Sequence, residues 1–88
     1  MQKIFQNINQ VLAEWDPIGV GKDIAIGEYQ GYIPLILKYI ENRPGLIGCL
    51  EHILVNKIGL DYDPMNKAHV KDLERVCDKL IRAYKLNR

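Results

Sequence analysis

The most reactive side chains in this 88-residue chain belong to two cysteines and two histidines, Cys49, His52, His69 and Cys77. Cys49 and His52 stand one helical turn apart, and His69 and Cys77 two turns apart, a spacing that could serve a zinc ion if both pairs converged on one point. A thiol nucleophile is the other chemistry these residues could support, but it needs a polar, partly exposed setting. Both cysteines instead fall inside apolar segments with helical patterning, where a free Cys behaves as a small buried hydrophobe. Their spacing matches neither a zinc finger nor a C-x-x-C redox pair, and one disulfide would make a poor framework for a secreted domain. No metal or other cofactor is therefore expected. The sequence also contains no Ser and no Thr, which removes hydroxyl nucleophiles, the phosphate loop that ends in Lys-Ser/Thr, and regulation by Ser/Thr phosphorylation. An enzyme would have to bring together a pair such as Asp16 and His52 in a cleft. The chain reads as non-enzymatic.

A second constellation is Trp15-Asp16-Pro17-Ile18-Gly19-Val20, followed by Glu28-Tyr29 and then Tyr32-Ile33-Pro34. Two readings fit it. In the structural one, Trp15 packs a large ring at the end of a helix, Asp16 caps, Pro17 stiffens and Gly19 turns the chain. In the functional one, Asp16, Glu28, Tyr29 and Tyr32 present an acidic, aromatic surface to a partner, because tyrosine supplies contact area at low entropic cost. On these residues the chain resembles a family of small bacterial helical proteins. That family's hallmark is W-D-P-I-G-V, then E-Y-x-x-Y-[IV]-P, then a third helix closing in Gly-Leu, here Gly59-Leu60. The resemblance spans most of the chain and implies a helical fold. The family has no established activity, and similar small domains occur among immunity proteins that neutralise secreted bacterial toxins. This chain departs from the family's usual acidic lead-in, with Gly27 and Gln30 where Asp is frequent.

These residues need elements to hold them. From 3 to 15, Ile4, Phe5, Ile8, Val11, Leu12 and Trp15 follow the spacing of one helix face. Asp16-Pro17 ends that helix, since the residue before proline is pushed out of the α region, and residues 16–27 read as a loop. Asp16 could also cap a single turn beginning at Pro17. A second helix is predicted over 28–41, where Tyr29, Tyr32, Ile33, Ile36, Leu37 and Ile40 share a face and Pro34 either kinks the helix or marks its true start. Leu35 and Tyr39 fall off that face, so another chain is expected to cover them. Asn42-Arg43-Pro44-Gly45 is a turn that leads into a third helix, on which Leu46, Ile47, Leu50, Ile53, Leu54 and Ile58 form a stripe and Gly59 caps the end. Asp61-Tyr62-Asp63-Pro64 is a second turn, with Asp63 or Asn66 available to cap a fourth helix carrying Val70, Leu73, Cys77, Leu80 and Tyr84.

The expected fold is all-α: one domain over residues 1–88, a small four-helix bundle or a pair of helical hairpins joined by short loops. A composition of 48% hydrophobic and 26% charged residues with net charge +1 belongs to an ordinary globular protein. No membrane-spanning stretch or signal segment is apparent, and the cytoplasm is the default location. Charge is split unevenly. Residues 1–65 carry five Lys/Arg against eight Asp/Glu, whereas residues 66–88 carry seven against three. The basic run from Lys67 through Lys71, Arg75, Lys79, Arg82 and Lys85 to Arg88 is balanced locally by Asp72, Glu74 and Asp78 and suits a helix C-terminus. With no aromatic residue on that face for base stacking, nucleic acid is not an expected partner. The sequence points to a protein-binding module, of the kind that inhibits a bacterial toxin by occluding it. Its partner surface is expected at Asp16, Glu28, Tyr29, Tyr32, Leu35 and Tyr39. The alternative is a stand-alone regulatory or ligand-binding helical protein, acting as a homodimer through Leu35 and Tyr39.

Overall fold

Apolar residues recurring every three or four positions bury themselves only if the segments that carry them coil and pack together. The computed structural model describes residues 2–17, 19–60 and 62–86. Ile18 of the hexapeptide, Asp61 of the second turn and Arg88 of the basic run lie outside them. Five α-helices follow in order: α1 (Gln2–Trp15), α2 (Lys22–Glu28), α3 (Ile33–Tyr39), α4 (Arg43–His52) and α5 (Lys67–Lys85). A 3-10 turn, Gln30–Tyr32, joins α2 to α3, and α4 runs on into a π-helical stretch, Ile53–Ile58. Helix α1 packs against α5 and α2, α5 against α4, and α4 against α3. With α2 and α3 forming one bent limb, the result is a small all-α bundle of four limbs, and 79% of the described residues are helical.

The radius of gyration is 12.2 Å, against about 12 Å for a compact chain of this length. All limbs contribute to one core. Ile8 and Leu12 of α1 meet Ile33 and Ile36 of α3, Leu46 and Leu50 of α4, and Leu73, Cys77 and Leu80 of α5. Two of the helix starts carry side-chain caps. The Asn42 side chain accepts a hydrogen bond from Gly45 N at 3.3 Å to cap α4. Asn66, rather than Asp63, caps α5, accepting from Ala68 N at 2.9 Å and His69 N at 3.2 Å. Asp63 instead accepts from Met65 N within the preceding turn.

Two expectations about the middle of the chain are corrected. The segment 16–27 is not all loop, because its second half is α2. This helix escapes a search for periodicity because, among its described side chains, it buries Ala25 alone, with Tyr29 just beyond its end, while Ile24 and Ile26 are exposed. The helix predicted over 28–41 is also not continuous. Pro34 sits in the first turn of α3, where its missing N–H would have no partner in any case, so it marks a true start rather than a kink.

Candidate functional site

The Trp15-Asp16-Pro17 segment turns the chain from α1 into α2, and Asp16 controls that turn. Its N–H donates to Leu12 O at 2.9 Å as the last bond of α1, and its φ of 44° places it in the left-handed region. Among residues other than glycine, Asp and Asn enter that region most readily. The Asp16 carboxylate then accepts three hydrogen bonds, from Val20 N at 3.1 Å, Gly21 N at 2.9 Å and the Tyr29 hydroxyl at 2.8 Å. These donors, led by Gly21 N–H and the Tyr29 hydroxyl, hold its pKa below the ordinary 3.8. Gly19 and Gly21, at φ 77° and 91°, supply conformations that a side chain would resist. Asp16 thus stitches the end of α1 to the start of α2 and to the far end of that helix.

This geometry redistributes the expected partner surface. Tyr29 is 1% exposed, so its ring belongs to the core and its hydroxyl serves Asp16. Glu28 is exposed and Tyr32 is half-buried. Leu35 and Tyr39 pack against the chain's own core, and the Tyr39 ring lies over Gly45, where an added Cβ would come within 3.2 Å of Tyr39 Cδ1. The chain's own core therefore covers part of each of these two side chains, and both remain half-exposed. The six residues do not assemble into one open face.

What the turn does build is an open groove of about 550 Å³ between the end of α1 and the outer side of α5. Trp15 and Pro17 form one wall; Leu60, Tyr62 and His69 form the other, and Leu73 and Val76 lie among its apolar lining. Glu14, Asp72, Arg75 and Lys79 set charges of both signs around it. The two walls are tied together, because Trp15 Nε1–H donates to Asp72 Oδ2 at 3.3 Å while Asp72 also pairs with Arg75. Tyr62 stacks on His69, their ring centroids 6.0 Å apart. His69 Nδ1 accepts from Asp63 N at 3.1 Å, which fixes the imidazole against the loop. Burial, and next the neighbouring carboxylate of Glu51, push the Tyr62 hydroxyl pKa upward.

The groove is the part that sequence reasoning missed. Arg75 and Lys79 were visible only as a basic run and Tyr62 only as a turn residue. Arg75 and Lys79 join Trp15 because α5 packs directly on α1, and Tyr62 comes in from the loop after the π-helical end of α4, which closes at Gly59 (φ 82°) with Leu60 N donating back to Leu54 O at 2.8 Å. Short sequence spacing carries no signal for that chain reversal.

The four reactive residues sit in different settings. Cys49 and Cys77 are both free and buried, and burial raises both thiol pKa values. His52 is exposed and hydrogen-bonds to Asn56. Among the described residues no group of three or more His, Cys, Asp or Glu side chains is placed to hold a metal ion. No helix is long and apolar enough to cross a membrane. Comparison of the chain with protein-family models, curated proteins and solved structures returns no match.

Proposed function

We propose that this chain is a non-enzymatic protein-binding module that engages its partner through the groove between the end of α1 and α5. The observation that carries this is the composition of the groove: Trp15, Tyr62 and Arg75 are the three residue types that dominate binding energy at protein interfaces. Apolar residues and charges of both signs line the groove beside them, a mixture that suits a docking face. Asp16 contributes by shaping the wall. Its carboxylate is engaged by three of the fold's own donors, which suits a structural role.

The partner we propose is a bacterial protein toxin, neutralised in the cytoplasm by occlusion. Support for that step is the resemblance carried by the W-D-P-I-G-V segment. The test is to co-express the chain with the product of each directly flanking gene and to measure complex formation by calorimetry. Wild type should form a stable complex with one of them and relieve its toxicity. Arg75→Glu, on a side chain that is 64% exposed, should weaken binding by roughly 2 kcal/mol while leaving the melting temperature nearly unchanged. Full affinity of Arg75→Glu would remove the groove from the interface. No interaction with either flanking product would count against the toxin-inhibitor reading.

A further inference from the structure

On the opposite side of α1, against α2 and α3, lies a second open groove of about 680 Å³. Phe5, Ile26 and Leu37 supply its apolar walls, and Gln6, Gln10 and Gln30 are its exposed polar residues. Among the described residues no charged side chain lines it. The sequence repeats that absence on a larger scale. Residues 4–13, 24–27 and 29–37 contain no Asp, Glu, Lys or Arg, so the chain's twelve basic and eleven acidic residues all fall outside these three stretches.

Helix propensity does not account for this choice, because Glu and Lys suit an exposed helix position about as well as Gln. Solubility would favour the charged residues. What exposed apolar and amide groups without charge do resemble is the centre of a protein interface, where charged residues are depleted.

The same face is complementary to itself. A twofold axis brings each group near it against its own counterpart, so a charged residue there would meet its like. An amide carries both N–H donors and an acceptor oxygen and can pair with a second amide. The shape agrees with the chemistry. Gln6 and Gln10, both exposed and one turn apart on α1, form a ridge of the kind that packs into a groove on another helical surface. Because that ridge borders the groove, one twofold can seat the α1 of each copy in the groove of the other. We infer that two copies of this chain associate through this face, with α1 of each lying along the uncharged groove of its partner. The interface is separate from the groove at α5 and does not depend on the protein-binding proposal.

Sedimentation equilibrium of the full chain over about 1 to 500 µM tests this, a span that includes the weaker interfaces of ordinary size. Wild type should pass from one chain to two. Gln6→Glu places an acid at an exposed position three residues after Lys3, which the helix itself accepts readily. Across the twofold, however, like charges would be brought together, and self-association should weaken about tenfold or more. Ile26→Glu, at a position 43% exposed, should have the same effect. Both variants should melt like wild type at a concentration where all are single chains. Arg75→Glu, which changes the other groove, should dimerise as wild type does. The inference is overturned if wild type remains a single chain throughout, if either folded acidic variant dimerises as tightly as wild type, or if Arg75→Glu abolishes the dimer.

Discussion

Asp16 is the residue on which the turn depends, and its protonation should be visible in stability. Its pKa is lowered in the folded state, so its contribution is fully present above the unfolded carboxylate value near pH 4 and is lost as pH falls through the lower folded value. Urea unfolding measured from pH 7 to pH 3 should therefore show an acid-side loss that is smaller in Asp16→Asn. The amide keeps an acceptor oxygen and tolerates the left-handed backbone, whereas Asp16→Ala should be the more destabilised variant at neutral pH. Equal pH dependence in wild type and Asp16→Asn would mean that the three hydrogen bonds contribute nothing. Trp15 is half-buried rather than enclosed, so Trp15→Ala should cost about 2 to 3 kcal/mol, below the range for a fully buried aromatic. The two readings of the hexapeptide, structural or surface-presenting, are in this light parts of one device. Asp16 and Tyr29 hold the turn, and Trp15 and Pro17 face the groove that the turn creates.

Among the elements, α1 and α5 were the most legible, because each is long and buries a stripe of side chains on one side while its other side is polar. The cap at Asn66 and the stop at Gly59 were equally readable from residue type. The bent limb of α2 and α3 was not, since among the described side chains of α2 Ala25 alone is buried, and a single small residue leaves no periodic trace. This break also decides how Leu35 and Tyr39 are placed. Both are half-buried and packed on the core, so Leu35→Glu combined with Tyr39→Lys should lower stability by roughly 2 kcal/mol or more, by stripping apolar area and placing charge against the core. A thermal melt alongside sedimentation checks this. A variant that melts like wild type but sediments differently would return these side chains to an interface between copies. The cysteines make a parallel case on α4 and α5. Because both are buried with raised pKa values, an aromatic disulfide reagent should label them only at the rate of unfolding.

For the whole molecule, the all-α architecture followed from four apolar stripes joined by short connections, since helices with one apolar face bury it by packing on one another. Tertiary placement did not follow, and it is where the functional interest lies. The groove unites the end of α1, the loop after the π-helical stretch and the outer side of α5, which are distant in sequence and joined by the Trp15–Asp72 hydrogen bond across 57 positions. The central claim is that this groove is the binding face and that the α3 side is not. It is tested most directly by adding unlabelled partner, the flanking-gene product identified by co-expression, to the isotope-labelled chain and mapping which backbone amides shift. The account predicts shifts concentrated at Trp15, Tyr62, His69, Arg75 and Lys79, with Leu35 and Tyr39 unmoved. Shifts centred on Leu35 and Tyr39, with the groove residues silent, would contradict it.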